Sequence, residues 1–355
     1  MTSAQAAFEP VSFSKLPGWG GDDHRAALSA FMVSSARCWP SSLSDAGREA
    51  LANSEADATQ ARRFFEAAFT PHRVIHERPQ GLLTGYYEPE VAGSRTRSGV
   101  YQVPVYRRPP DLVNLVDEAA RSTVGDGFTH LRRTPAGDVP YATRADIETG
   151  ALAGQGLELF YLADPVDAFF MHVQGSGVIR LPDGGRVRVT YDGKNGHPYT
   201  SIGRYLVESG TLSLQNVSLD SLGHWLRADP VRGQRVMWQN ASYVFFRELT
   251  GEEAGVAKGV LSTPLAPGRS LAVDTSVHAL GTPIYVTAPT LTTFDAGGAP
   301  FQRLMIAHDV GSAIKGPERG DIYYGSGDDA GRRAGITKHP GNFFALLPHV
   351  DRSSA

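Results

Sequence analysis

The chain has 355 residues, 41% of them hydrophobic and 20% charged, and a formal net charge of −3. That length exceeds the range over which one hydrophobic core keeps growing, so about two domains are expected. Near-neutral charge without a Lys/Arg-rich cluster speaks against a nucleic-acid partner, the lack of a long apolar stretch speaks against a bilayer-spanning helix, and a lone cysteine, Cys38, excludes an intrachain disulfide. A neutral or mixed-charge ligand such as a sugar polymer suits this balance, and 39 glycines with 23 prolines suit many turns between short strands.

The opening MTSAQAAFEP lacks the charged start and apolar run of a secretory leader. Three helices are predicted between residues 9 and 70. The first is capped by Asp22 or Asp23 and runs through HRAALSAFMVSSARCW, with Leu28, Phe31, Met32 and Cys38 at helical spacing. The second covers Leu43 to Ala52. The third runs from Ala56 to Phe69, with Phe64, Phe65 and Phe69 as its core face. Cys38 itself reads as a small buried hydrophobe.

In GLLTGYYEPEVAGS, residues 81–94, Leu82 to Tyr87 reads as a strand, and Gly85 within it marks close approach of another backbone or a ligand. Tyr86 and Tyr87 point to opposite sides, so one can offer a ring face to a sugar while the other packs inward. Glu88 is a candidate carboxylate, although Pro89 indicates a turn.

From Val100 the pattern predicts a strand at Tyr101 to Tyr106, a short helix in PPDLVNLVDEAA, and a strand at Leu157 to Leu162. Met171 to Gln174 and Val178 to Leu181 read as a hairpin across Gly175, Ser176 and Gly177. Arg186 to Tyr191 reads as a half-exposed strand. Helices are expected at Tyr199 to Ser209, Leu219 to Arg227 and Pro230 to Trp238, followed by a strand in NASYVFFRE and a β-rich remainder. Two Gly-rich polar loops stand out here. Gln174, Gly175 and Ser176 belong to one, and Lys194, Asn195 and His197 to the other, and their donors suit sugar hydroxyls, N-acetyl groups and a lactyl carboxylate. One such loop alone is ordinarily a solvated turn. His172, His197 and His224 share no ligand spacing, so no metal site is expected.

The chemistry concentrates in residues 304–327, LMIAHDVGSAIKGPERGDIYYGSG. A buried strand, Leu304 to Ala307, delivers His308 and Asp309; Gly311, Gly316 and Gly320 then break the regular structure. Asp321 opens a second strand, Ile322 to Tyr324. If the two strands lie side by side, Asp309 and Asp321 approach, one carboxyl is held protonated, and it can serve as a general acid. A single Asp beside glycine is ordinarily a turn former. Two of them, both abutting strands with Lys315 between, favour a site.

This stretch resembles the C-terminal domain of the lytic murein transglycosylase A family, known for three aspartates that match Asp274 in AVDTSVHALGTPIYV, Asp309 in AHDVGSAIKG and Asp321 in GDIYYG. PVSFSKLPGW, TGYYEP, VQGSG, GKNGH, NASYVFFRE and GRRAGITKHPGNFFALLP resemble the same family, so the likeness covers roughly residues 9–348. The resemblance implies a mainly β protein with N-terminal helices. Its double-psi β-barrel would be built from residues 1–98 and 233–355, with a smaller β domain, residues 99–232, inserted and a glycan cleft between them. It implies a peptidoglycan lytic transglycosylase that works as a monomer in the bacterial envelope, periplasmic or outer-membrane associated, without metal or organic cofactor. Asp321 matches the acid, and Asp309 and Asp274 would support it. Thr84, Gly85, Tyr86, Gln174, Gly175, Ser176, Lys194, Asn195, His197 and Lys315 would hold the glycan. The rival readings are a two-carboxylate hydrolase using Asp309 or Glu88, and a glycan-binding module without activity.

Overall fold

In the computed structural model, which describes residues 6–34, 43–77, 80–117, 127–213, 218–295 and 297–349, the chain opens with a strand, β1 (Ala7–Pro10), and three helices, α1 (His24–Val33), α2 (Ser44–Ala52) and α3 (Ala58–Ala68). Local chemistry sets their starts. Asp23 caps α1 by accepting from Ala26 N at 3.0 Å, and Asp57 with Gln60 forms a capping box on α3. Asp22, the alternative cap, instead receives both Nη atoms of buried Arg269 at 2.8 and 2.9 Å. Helix α1 ends at Val33, and Cys38 lies outside the described residues.

Strands β2 (Phe69–Ile75) and β3 (Gly81–Glu88) follow. The chain then builds β4 (Glu90–Ser94), β5 (Val103–Tyr106), β6 (Leu112–Asn114), β7 (His130–Thr134), β8 (Gly137–Val139) and β9 (Glu158–Leu162), with a single helical turn, α4 (Arg144–Asp146), before β9. Next come α5 (Pro165–Gln174), β10 (Ser176–Arg180), β11 (Arg186–Lys194), α6 (Ile202–Glu208), α7 (Leu219–Ala228), α8 (Pro230–Met237) and β12 (Val244–Glu248). The last stretch carries β13 (Ser270–Ala272), β14 (Pro283–Ala288), β15 (Phe301–Asp309), β16 (Arg319–Ser326), α9 (Asp328–Gly335) and β17 (Lys338–Pro348).

These elements form two compact units. One comprises residues 1–86, 258–324 and 337–355, the other residues 87–257 and 325–336. The expected domain limits at 98 and 232 both fall inside the second unit. In the first, strands run in the order β1-β2-β17-β14-β15-β13-β16-β3, and β17 also pairs with β3 through Lys338–Gly341. Six strands, β17, β14, β15, β13, β16 and β3, therefore close on themselves, which removes free edges. Phe31, Phe64 and Phe65 of helices α1 and α3 are buried with Phe69 of β2 and with Tyr285, Leu304, Ile306 and Leu346 in one apolar cluster. In the second unit a six-stranded sheet, β12-β11-β10-β4-β9-β5, packs around Val105, Phe160, Ile179, Val189 and Phe246, and β6-β7-β8 form a small separate sheet.

Three predicted elements differ. Met171 to Gln174 is the end of helix α5, not a hairpin arm: Asp164 caps its start, Pro165 takes the first turn, and Gly175 closes it in the left-handed region at φ 79°. The segment after Pro109 and Pro110 forms the short strand β6 instead of a helix, and residues 118–120 of that prediction lie outside the described set. Gly320 does not interrupt the chain but sits within β16, packed on Phe343, Leu271 and Leu83.

Candidate active site

The three-residue strand β13 organises the site. It pairs parallel with β15 and antiparallel with β16, and Ala272 faces Asp309 across one edge and Asp321 across the other. The two aspartates therefore bracket a strand instead of sitting on adjacent ones, about 9–10 Å apart along the sheet. Asp274 follows two residues beyond Ala272. The expected cause of an elevated carboxyl changes with this arrangement. Asp321 is half-buried, and it is burial that lifts its pKa, against the opposing pull of the Arg319 charge and of a hydrogen bond from Thr84. Thr84 Oγ1 donates to Asp321 Oδ1 at 2.5 Å from β3, the neighbouring strand.

Asp309 is held by backbone. Its Oδ1 accepts from Val260 N at 3.0 Å and from Val310 N at 2.9 Å. The turn that presents Val260 N places Leu261 and Ser262 at φ 57° and 59°, a conformation costly for side-chain-bearing residues and found where structure around it compels it. Gly259 permits the approach, because a Cβ there would lie 2.7 Å from His308 O and 3.1 Å from Asp309 Cγ. His308 is buried between Ser34 Oγ (2.7 Å) and Ser270 Oγ (2.8 Å), tying the end of α1 to β13, and burial pushes its pKa down to about 3.

Asp274 is a fastener. Its Oδ1 accepts from Ser276 N (3.0 Å) and Ser276 Oγ (2.7 Å), and its Oδ2 accepts from Gly316 N (2.7 Å). The segment leading to Asp321 is pinned at successive residues. After Gly316, Pro317 O accepts from His278 Nε2 (2.7 Å), and Glu318, with no exposed side chain, pairs with Arg73 and His76 and accepts from Phe343 N (2.7 Å). Arg319 Nη1 donates to Gly320 O at 2.7 Å and Leu82 O at 3.4 Å. Lys315 stands exposed ahead of this segment, its ammonium pKa lowered by burial and raised by Asp274. Tyr86 packs its ring tilted against that of Tyr323, centroids 5.2 Å apart. Its hydroxyl is buried and turned toward Asp309 without closing a well-formed hydrogen bond, and burial, then the Asp309, Tyr323 and Asp321 charges, keep it a protonated donor. Gly85 is half-buried between Thr84 and Tyr86 on β3.

The remaining expected contacts belong to the second unit. Gln174 Oε1 accepts from Tyr87 N at 3.1 Å, Gly175 ends α5, and Ser176 is buried at the start of β10. Lys194 is buried with Nζ 3.3 Å from His197 O, and His197 Nε2 is 2.8 Å from Tyr141 O. Asn195 is wholly buried. Its amide donates to Ala142 O and Ala241 O (both 2.8 Å) and accepts from Tyr243 N (2.9 Å), so every polar site of the side chain holds backbone and the expected sugar contact does not carry over to it. Glu88 is also sealed in this unit, between Arg188 Nε (2.8 Å) and Ser326 Oγ (2.6 Å), with no exposed surface. Among the described residues no three His, Cys, Asp or Glu side chains gather as a metal site.

Sequence reading missed Arg319, Glu318 and the Gly259–Val260 turn. For Arg319 a signal existed: it lies two residues before Asp321 in a strand, hence on the same face. For the turn there was none, since its role depends on distant pairing.

Residues 82–247 match the "MltA specific insert domain" and residues 269–347 the "3D domain", which holds all three aspartates. A membrane-bound lytic murein transglycosylase A of Escherichia coli is 35% identical over 267 residues, 74% of this chain and 65% of that protein, so the match spans just under two thirds of this relative. The crystal structure of a membrane-bound lytic murein transglycosylase from Agrobacterium tumefaciens superposes with a TM-score of 0.87 at 37% identity, covering 96% of this chain and 98% of that one. E. coli MltA with bound chitohexaose gives 0.71 at 29% identity, covering 99% and 94%.

Proposed function

The chain belongs to the membrane-bound lytic murein transglycosylase A family, and from that premise we propose that it cleaves the β-1,4 bond between N-acetylmuramic acid and N-acetylglucosamine in peptidoglycan, leaving 1,6-anhydro-N-acetylmuramic acid ends. The observation that carries this reading is Asp321, a half-buried carboxyl with a raised pKa and only Thr84 as a hydrogen-bonding partner among the described residues. Its proton goes to the bridging oxygen as the C1–O bond breaks. The resulting carboxylate takes the proton of the muramic acid C6 hydroxyl, whose oxygen closes on C1. Asp321 ends the cycle protonated, ready for the next bond, and no water or second carboxylate enters. The Tyr86 phenol stands close to both Asp309 and this acid as a protonated donor, Asp309 supports it from across β13, and Asp274 keeps the preceding segment in place.

Glycan contacts are assigned to Thr84, Gly85, Tyr86 and Lys315 in the first unit and to Gln174, Gly175, Ser176, Lys194 and His197 in the second. We read the closed six-strand circuit as the double-psi barrel and the second unit as the domain inserted in its sequence. A role in cell-wall turnover, as a monomer in the bacterial envelope, is part of this proposal. Among the described residues no helix is long and apolar enough to cross a membrane. The hydrolase alternative loses one of its second carboxylates, because Glu88 has both oxygens engaged and no exposed surface.

Mass spectrometry of digested peptidoglycan tests the reaction. Muramic ends one water lighter than those of ordinary hydrolysis are expected; normal reducing ends would hand the site to the hydrolase reading.

A further inference from the structure

Arg319 has no part in the acid–base cycle, yet its surroundings are unusual for a structural arginine. It lies two residues before Asp321 in β16, so both side chains emerge on one face of the strand. The residue is half-buried. Only one of its terminal nitrogens is engaged: Nη1 donates to Gly320 O and Leu82 O, which anchors the guanidinium plane against β3 and β16. Nε and Nη2, the other edge of the fork, meet no acceptor among the described residues. Nor does the guanidinium close an ion pair with Asp321, although its charge is felt there. A partly desolvated guanidinium with one edge fixed and the other open is built to receive a planar pair of oxygens, because the fork is rigid and its hydrogen bonds to acyl oxygens are charge-assisted.

The reaction proposed above brings to this neighbourhood an acyl group that is peculiar to muramic acid. The muramic acid ring whose C1 reacts beside Asp321 carries a lactyl ether on C3 of the same ring, and N-acetylglucosamine has no such substituent. We propose that Arg319 recognises the 3-O-lactyl group of the muramic acid being cleaved, receiving its acyl oxygens on the Nε–Nη2 edge and so selecting muramic acid over N-acetylglucosamine at the bond to be broken. The lactyl acyl group is a carboxylate in peptide-free glycan and an amide carbonyl where a stem peptide is attached. Both present oxygen to the fork, and the charged form binds more strongly.

The inference rests on the transglycosylase reading, and the test separates the two. Wild type, Arg319→Gln and Arg319→Lys are compared on peptide-free strands, on strands with intact stem peptides, and in binding to chitohexaose, which lacks the lactyl group. Arg319→Gln is expected to raise KM on peptide-free strands about tenfold to a hundredfold, the worth of a charge-assisted pair, with a smaller rise on peptide-bearing strands. Chitohexaose affinity should stay close to wild type, and so should kcat at pH low enough to keep Asp321 protonated in every variant; at higher pH, loss of the Arg319 charge lets Asp321 retain its proton further. Arg319→Lys, which keeps charge but loses the fork, should fall between. Equal losses of affinity for both glycans, or a fall in kcat with a shifted pH profile and unchanged KM, would overturn the proposal and leave Arg319 as a positioning residue acting through Asp321. Wild type that releases no anhydro ends from either strand preparation would overturn the reaction itself.

Discussion

Two Gly-rich polar motifs of this chain look alike on paper and differ in three dimensions. In HDVGSAIKGPERGD the stretch from Gly316 to Glu318 is pinned through Asp274, His278 and Phe343 N, while the side chains at its end keep capacity: among the described residues Asp321 has one hydrogen-bonding partner and Arg319 one open edge. In DGKNGHP the side chains do the pinning. Asn195 holds three backbone groups, Lys194 is buried beside His197 O, and His197 reaches Tyr141 O. Where backbone and remote residues supply the rigidity, polar side chains remain available for chemistry. Where a polar side chain supplies it with all of its groups, as Asn195 does, that side chain is unavailable. Composition does not separate the two cases, but the destination of each hydrogen bond does.

The largest effect should come from Asp321→Asn, which removes the transferable proton and keeps the acceptor for Thr84. Turnover is expected to fall about 10²–10⁴-fold in a variant that still binds glycan strands. The same substitution has an opposite sign for stability. Burial raises the folded carboxyl above its ordinary value of 3.8, so the ionised form costs stability from that pH upward. Thermal melts should therefore show the variant at least as stable as wild type at neutral pH, with the advantage vanishing below pH 3.8. A variant that melts lower at neutral pH would show that the charge at 321 supports the fold, placing this motif with the other one.

Asp309→Asn comes next. Asparagine can still accept from Val260 N and Val310 N, so the turn should persist while the charge facing Tyr86 is lost. Turnover should drop by about 10²-fold, as for a misplaced catalytic group, with glycan affinity nearly unchanged. Near-normal turnover in the folded variant would confine Asp309 to structure.

For the second motif the expectation inverts. Asn195→Ala should act on stability, at about 1–3 kcal/mol for each buried backbone group left unpaired, and leave oligosaccharide affinity per folded molecule intact. Equilibrium unfolding with a parallel binding titration decides it. A stable variant with weakened binding would restore Asn195 to the glycan surface.

Much of the architecture was legible because period and punctuation agree. Phe64 and Phe65 on α3 are buried as their spacing predicts, with Phe69 beside them at the start of β2, and Asp23 caps α1. The α5 prediction failed although its punctuation, Asp164, Pro165 and Gly175, was present, because an apolar FFMHV run fits a buried strand as well as a buried helix. The three aspartates were legible as a group, but the reason for a raised carboxyl was not. It depends on β13 lying between β15 and β16, a long-range pairing that no local pattern encodes. Asn195 was misread for the same reason: its partners, Ala142, Ala241 and Tyr243, are about 50 residues away in sequence.

The finest probe of the first motif is Thr84→Val, which keeps the shape of the side chain and deletes its hydroxyl. Thr84 donates to Asp321 Oδ1, and this bond holds the carboxyl pKa below where burial alone would put it. Without the donor, the charged form loses stabilisation and the proton is retained to higher pH. If Asp321 acts in its protonated form, the alkaline limb of kcat/KM reports its pKa in the free enzyme, and that limb should move upward. The acid limb belongs to other groups and should stay in place. Since β3 keeps its backbone pairing, the rate at low pH should change little, so the shift is read against a nearly constant plateau. A limb that stays put would mean that the titrating group is not Asp321, and the strand-end cluster would then share the purely structural role of the Asn195 loop.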